Sequence, residues 1–590
     1  MATIDWAIVA LYCVITIVIG FALTKKASGG MADYFASGRS LPWWIAGTSI
    51  VATTFSSDTP LFVTKLVREK GIWGNWEWWG LMVSSMMAVF FFSRLWKRAG
   101  VLTEVELVEL RYSGKPSSAL RGFKSIYWGV FYNCVLIGGM PVIGLVKVMQ
   151  ITTGWDKTTS IIFCMVISTA YCTFSGLWGV VINDVFQFVL AMVGAVILAV
   201  YAVDAAGGLS QIMSTLSATD KLAFIPQTGG DFWTSSFTWF IALICIQWWA
   251  YKNTDGGGVI VQRIVASKDE KNAIYGMLWF NIAHYALRSW PWILAALASI
   301  ILIKDPIGLN GKVDHELAYP LLITTILPAG LKGLLIASFF AAFMSTVDAY
   351  MNWGASYIMN DFYKRFIRPN KSERHYVFAS RIASVLIMAL ATLYAFYAES
   401  VETTFQLILN FTAGIGVVNL ARWFWWRVNA WSEITTLIVS IPAILLQKPV
   451  AIAFGVITSE QAEIGQKSLL FNLLFMIGFT ALFWIPATLL TKPVDIEKLK
   501  EFYKRTRPPG PGWKNVKNEL LADDLKEGAK DSSLKALLLL WLVGITFILT
   551  AMLTIGKLLL ADYTIGIIYL AVCIISLIII LKGIKRQFPP

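Results

Sequence analysis

The sequence predicts an all-α polytopic membrane protein, and three observations predict it. The chain of 590 residues is 57% hydrophobic and only 14% charged, with a mean hydropathy of +0.64. Its apolar residues fall in successive runs long enough to cross a bilayer, which takes about 20 residues as a helix. Two of those runs are interrupted, one at its centre by polar residues and Pro and one where it runs into a triple Gly.

A hydropathy reading gives about 15 helices. In order they span 4–24, 43–66, 76–96, 123–151, 157–174, 177–203, 235–253, 272–303, 321–361, 375–398, 401–421, 432–447, 468–491, 535–556 and 562–582. The first opens MATIDWAIVALYCVITIVIGFAL, with neither a basic leader nor a small-residue cleavage site, and reads as a retained helix, not a signal peptide. The stretch 321–361, a short apolar segment and then a helix from 331, counts as one span. The total is then odd, so the termini lie on opposite sides.

Alternate connections (25–40, 94–124, 263–271, 361–375, 422–427, 492–535 and the tail after 582) hold roughly 34 of the 49 Lys and Arg, as cytoplasmic loops do. The N-terminus is expected outside the plasma (inner) membrane and the C-terminus inside. The net charge of +13 follows from that topology and requires no nucleic-acid partner. The polar segment PVDIEKLKEFYKRTRPPGPGWKNVKNELLADDLKEGAK mixes both signs of charge around a Pro/Gly hinge. It reads as a cytoplasmic linker, 492–534, with a solvated connection favoured over a docking role. Cys13, Cys134, Cys164, Cys172, Cys245 and Cys573 lie in or beside apolar runs, without metal-type spacing.

Helix 43–66 is broken at its centre by Thr53, Thr54, Ser56, Ser57, Asp58, Thr59 and Pro60. Five helices later, 235–253 runs into NTDGGGVIVQR, where Gly256, Gly257 and Gly258 cannot hold a regular helix. Backbone freed at membrane depth is tolerated only against a cavity or a ligand. Such a matched pair in two halves points to a transporter with an inverted repeat. The halves would be 43–203 and 235–421, joined by an outer connection, 204–234. A flanking helix and loop, 1–42, precede them, and flanking helices at 422–491 and 535–590 follow. The competing reading is an ordinary Pro kink plus a loop that begins early, at Lys252.

The stretch FFAAFMSTVDAY, 339–350, places Ala342, Ser345 and Thr346 at i, i+3 and i+4, on one helix face. Hydroxyls mid-membrane often only bond back to their own helix. Asp348 makes that explanation insufficient, because an intramembrane carboxylate is costly and commonly functional. An all-oxygen face suits a hard cation. Na⁺ is the natural choice, since it needs neither Cys nor the scattered His284, His315 and His375.

These residues sit in motifs that resemble a known family. GLLIASFFAAFMSTVDA is close to its G-L-x-x-A-x-x-x-A-A-x-M-S-T element, GLWGVVINDVFQF to its G-G-L-x-A-V-x-x-T-D-x-x-Q element, and VIVQRIVASKDEK to its I-x-Q-R-x-x-A-A-K element. LPWWIAGTSIVATTFSSD aligns with its first broken helix and LTEVELVELRY with its T-x-x-E-x-x-x-x-R-Y stretch. The sequence, from about Trp6 to the thirteenth helix, resembles the sodium:solute symporters, the family of sugar, proline and sialic-acid cotransporters.

The resemblance implies a five-plus-five inverted-repeat (LeuT-like) bundle with flanking helices. It also implies Na⁺-coupled symport of a small polar organic solute by alternating access, without an organic cofactor. Carried over residue by residue, the core sodium site would use carbonyls of Ala52, Phe55 and Ala342 and hydroxyls of Ser345 and Thr346. Asp184 matches an aspartate that some members use in a second sodium site with further hydroxyls. Here Asp348 and Ala349 stand at those further positions, so Asp184 and Asp348 are expected to form a second ion site or a proton site.

For the solute, Asp58 and Thr59 stand where galactose-type members carry Glu and Gln. Glu77 keeps their acidic residue, Gly80 replaces a Ser, and Leu409 replaces a sugar-contacting Gln, with Gln406 one turn away. QWWAYKNTDGGG contains an insertion, and Gln247, Trp248, Trp249, Lys252, Asn253 and Asp255 are expected to border the pocket. Arg288 is either a cation near the midplane or the cap of a helix end. Trp with Asp, Glu and Asn suits a sugar-like ring, whereas Arg288 and Lys252 suit a carboxylate. A membrane enzyme would need a nucleophile–base pair or metal cluster that the sequence does not offer, and a channel a pore-lining ring. A proton-coupled transporter using Asp184 and Asp348, or a transporter-like sensor, are the alternatives. The expected partners are the solute and the bilayer, with the chain a monomer or weak oligomer.

Overall fold

The computed structural model describes residues 1–23, 30–308, 311–463, 465–520 and 533–587, except for the side chains of 20–23 and 170–176. Nearly all of this is helix. Among the described residues, nine helices are long and apolar enough to cross a membrane, or up to eleven if each of two bent pairs is one span. The bent pairs are Ile72–Trp79 with Met82–Ala99 (41°) and Val401–Thr412 with Ile415–Phe424 (47°). Shorter apolar helices cover Thr3–Ile19, Lys157–Thr169 and Ser236–Ala250. Helical backbone thus stands at each range that hydropathy marks, including the two that were expected to break.

The first break separates helix α1, Trp43–Thr53, from α2, Asp58–Lys70. Pro60 lies in the first turn of α2, where its missing N–H costs nothing, but it could not sit inside a continuous helix. Thr59 Oγ1 accepts the Ser56 N–H at 3.2 Å, and Ser57 Oγ donates to Pro141 O at 2.6 Å. A Cβ at Gly144 would lie 2.5 Å from Asp58 N, so this glycine lets a neighbouring helix press directly on the break.

The second break follows Ala250. Tyr251 is extended (φ −71, ψ 142), and α4, Gly258–Ala266, starts only at the last of three glycines at φ 104, 37 and 55. That left-handed run excludes side chains; a Cβ on Gly257 would meet Asn253 Oδ1 at 2.3 Å.

Between the breaks lies the helical run α3, Lys157–Ala205. Its Phe163 packs on Phe340 (6.1 Å), while its Leu190 carbonyl accepts from Ser338 (3.1 Å). A straight helix would set Phe163 and Leu190 about 40 Å apart, so the stretches Lys157–Thr169 and Leu177–Ala205 are not one straight helix. Both lean on α6, Leu331–Ser356, in which every residue from Leu335 to Ala349 is buried. Helix α5, Ser289–Leu302, packs against α2 and α3. The C-terminal hairpin, α9 (Leu534–Leu559) and α10 (Tyr563–Gln587), is tied on by Trp541 Nε1, which donates to Val83 O at 2.9 Å, and Trp290 Nε1, which donates to Met552 O at 3.2 Å.

The linker departs from expectation. Helix α8, Ile496–Thr506, buries Leu499, Phe502 and Tyr503, spaced i, i+3, i+4, against the bundle. Trp513 stacks on Phe502 at 5.5 Å, donates to Trp423 O at 2.7 Å, and lies under the Arg111 guanidinium at 4.7 Å. Charge dominates the composition of this segment, but its apolar residues share one face, and that face decides the packing. Residues 521–532 of the linker lie outside the described residues.

Candidate ion and solute site

The break in α1 and the middle of α6 meet at Thr346. Its hydroxyl donates to the carbonyls of Thr53 at 3.0 Å and Phe55 at 3.2 Å. The Ala52 carbonyl accepts the Phe55 N–H at 3.2 Å, closing a tight turn at the end of α1. Ala342, one turn before Thr346, lines a narrow gap with Phe55 and Ser56. Thr53, Phe55 and Thr346 therefore form an oxygen-only group of the kind a hard cation takes.

Ser345 points elsewhere. Its hydroxyl donates to Asp184 Oδ1 at 2.5 Å, and Ser49 Oγ donates to Asp184 Oδ2 at 2.5 Å. Arg263 Nη2 stands 3.8 Å from the same carboxylate, and Arg263 also donates to Ser49 Oγ (3.2 Å) and Thr53 Oγ1 (3.3 Å). Asp348 is buried one turn beyond Ser345 and acts electrostatically on Arg263. The expected second site thus joins α1, α3, α4 and α6 through a fully buried ion pair.

Arg288 caps a helix end. Nη1 donates to Val51 O at 3.0 Å and Nη2 to Thr54 O at 2.8 Å, at the C-terminus of α1, where a cation is favoured. Its guanidinium lies 5.9 Å from Phe55, 5.9 Å from Trp78 and 5.6 Å from Trp292. His284 Nε2 is 3.1 Å from Arg288 Nη2 and Nδ1 is 3.0 Å from Thr54 Oγ1. Since a guanidinium only donates, Nε2 accepts, and the ring is the neutral tautomer with its proton on Nδ1.

Two cavities flank this constellation. One, of about 170 Å³, is walled by Asp58, Thr59, Phe62, Trp78, Arg288 and Thr346; we term it the Asp58 lobe. The other, of about 180 Å³, is walled by Tyr132, Tyr251, Asn253, Gly257 and Trp353, and forms the Gly257 lobe. Both are bounded by Thr54, His284 and Tyr350. Together they reach the low end of the roughly 300–1,000 Å³ usual for small-molecule sites.

The other expected solute residues lie apart. Glu77, Gln247 and Gln406 line a crevice of about 30 Å³ that adjoins an open cavity of about 740 Å³ at the far end of the bundle. Glu77 is paired with Lys70, and Gln406 donates to Glu402 at 3.0 Å. Trp248 packs on Trp541 of α9 at 5.6 Å, and Trp249 donates to Cys245 O at 2.8 Å; neither lines a lobe.

Lys252 and Asp255 turn to the basic end of the bundle. Arg422, on helix α7 (Ile415–Phe424), lies 2.6 Å from Asp255, 3.6 Å from Glu433 and 3.9 Å from Glu104. Lys252 is 3.8 Å from Glu104, and Lys124 pairs with Glu433. Glu104 also accepts the Gly258 N–H at 2.7 Å and the Tyr357 hydroxyl at 3.0 Å. All these ionic groups are buried, and the network forms a floor beneath the Gly257 lobe.

Sequence reasoning did not find Ser49, Thr53, His284, Tyr350, Glu104 or Arg422 as site residues. Arg263, counted with the cytoplasmic connection 263–271, is instead fully buried on α4; placed inside the membrane, it would have been set against Asp184, because intramembrane charges pair with one another.

The sodium:solute symporter family profile matches residues 34–439. The sodium/glucose cotransporter of Vibrio parahaemolyticus is 25% identical over 521 residues, covering 82% of this chain and 91% of that one. The sodium/myo-inositol cotransporter of Bos taurus is 23% identical over 552 residues, covering 85% and 75%. Among solved structures, the substrate-bound outward-open state of a Na⁺-coupled sialic acid symporter superposes with a TM-score of 0.68 at 21% identity, over 84% of this chain and 99% of that chain. The chain therefore belongs to the sodium:solute symporter family, as a membrane transporter and not an enzyme.

Proposed function

We propose that the chain carries a small polar organic solute into the cell with Na⁺ by alternating access. The reading takes fifteen spans, the N-terminus outside and the C-terminus in the cytoplasm, with repeats at 43–203 and 235–421. The observation that carries it is the Thr346 hydroxyl set 3.0 and 3.2 Å from the Thr53 and Phe55 carbonyls. Na⁺ among these oxygens, with the Ala52 and Ala342 carbonyls, would tie the break in α1 to α6, while Ser345, turned to Asp184, would stay outside its shell. Where those two helices move relative to each other, the ion favours the arrangement that keeps them together, by its differential affinity. The membrane potential adds about 2.3 kcal/mol per charge per 100 mV.

Asp184 is engaged by Ser49, Ser345 and Arg263, which supports a structural ion pair there more than a free proton carrier. Solute recognition is assigned to Asp58, Thr59, Asn253 and Arg288 around the lobes, with Glu77, Gln247 and Gln406 on the approach. Membrane vesicles should accumulate solute in response to an inward Na⁺ gradient. Uptake that ignores Na⁺ and follows pH would transfer the coupling role to protons at Asp184 and Asp348.

A further inference from the structure

The linker helix α8 ends beside a cluster of positive charge that the ion and solute sites do not use. Helix Ser93–Ala99 stops at Gly100, whose φ of 59 lies in the left-handed region. Two arginines from distant segments converge there. Arg39 Nη2 donates to Gly100 O at 2.7 Å, and Arg505 Nε, from the last turn of α8, donates to Arg98 O at 3.3 Å. A Cβ on Gly100 would lie 2.5 Å from Arg505 Nη2 and 3.7 Å from Arg39 Nη1, so both guanidiniums face one point. Arg39 reaches it from a turn in which Ser37, Gly38 and Arg39 all hold positive φ (49, 60 and 57), a conformation costly for the two that bear side chains.

A helix C-terminus attracts a cation, which accounts for one arginine but not for two. Each makes one hydrogen bond and no ion pair among the described residues, so most donors of each guanidinium stay open. Both side chains are exposed. Lys97 adds a third charge, on which Arg39 acts electrostatically. The acids of the adjoining helix are engaged: Glu270 is held by Arg98 at 2.7 Å, and Asp269 accepts the Asn272 N–H at 2.7 Å.

We propose that Arg39 and Arg505 form a phosphate-binding site at the basic end of the bundle, and that its occupant fastens α8 in place. The planar fork of a guanidinium matches phosphate oxygens two at a time. Two forks with no carboxylate between them leave room for one strongly anionic group. That group is carried either by an anionic lipid headgroup or by a free phosphate in solution. Arg505 belongs to the linker and Arg39 to the segment before α1, so an anion held by both is a cross-link between them. The same linker runs on to Trp513, which donates to Trp423 O beside Arg422 of the ionic floor. The inference needs neither Na⁺ nor a solute, and stands apart from the symport reading.

The test follows hydrogen exchange of the α8 amides in purified full-length protein held in nanodiscs. One probe is inorganic phosphate, added to phosphatidylcholine discs at constant ionic strength against chloride. The other is phosphatidylglycerol mixed into the discs. At least one should slow exchange across Ile496–Thr506 about tenfold. A response to phosphate identifies a soluble ligand, and a response to phosphatidylglycerol alone identifies a headgroup. Arg39→Gln should abolish the response while leaving exchange without the probe unchanged, because the Arg39 hydrogen bond goes to Gly100 and not to α8. Arg505→Gln should abolish it as well. Lys115→Gln, which removes an exposed cation from a neighbouring connection, should keep it. No slowing by either probe would overturn the site. So would equal slowing in Arg39→Gln, or a loss as large in Lys115→Gln, since either result means diffuse attraction without a bridge.

Discussion

Arg422 donates to Asp255 at 2.6 Å across 167 residues of sequence, and this contact closes the basic end beneath the Gly257 lobe. Removing one partner of a buried pair leaves the other charge uncompensated, at a cost of about 3–5 kcal/mol. Arg422→Ala should therefore lower the melting temperature sharply. Arg422→Ala with Asp255→Ala should recover part of the loss. A double variant no better than the single one would show that Glu104 and Glu433, not Asp255, hold the guanidinium.

Thr346 and Ser345 should separate on mutation, although they are neighbours. Thr346→Ala removes the hydroxyl that reaches the break, and should raise the Na⁺ concentration for half-maximal uptake about tenfold, the equivalent of 1.4 kcal/mol. Ser345→Ala removes a donor to Asp184, and should affect stability more than Na⁺ dependence. Na⁺ titrations of uptake beside thermal melts of each variant would distinguish the two.

Arg288→Lys keeps the charge but not the fork that reaches Val51 and Thr54 together. Lysine cannot span two carbonyls in that geometry. Solute uptake should fall as severely as in Arg288→Ala, and both variants should lose protection of the amides around 51–55 in hydrogen exchange. Full activity in the lysine variant would show that charge alone matters there.

Trp513→Ala should destabilise the purified protein by about 3–5 kcal/mol, as for loss of a buried Trp. The same substitution at a solvated linker would be silent. A denaturant melt decides between these outcomes.

The apolar runs were legible because length and hydropathy nearly determine a helix in lipid. Both interruptions were legible too, since Pro60 and the triple glycine leave the backbone no alternative. The orientation of side chains was not. Ser345 and Thr346 differ by one residue, hence by about 100° around the helix, and only the packing of α3 against α6 shows which hydroxyl meets Asp184. Trp248 and Trp249 look like pocket residues beside a break, yet a distant C-terminal helix covers Trp248. A lone His284 in an apolar run carries no pattern at all, and its role depends on Arg288 one turn away and Thr54 far off in the chain.

The Thr346 hydroxyl engages two main-chain oxygens at the kink by its own proton. Those oxygens then need no metal to stay satisfied deep in a greasy environment. A sodium ion entering there would have to share both carbonyls with a proton that already engages them, so its net gain at the kink would be a difference between two sets of bonds and not the whole of its attraction.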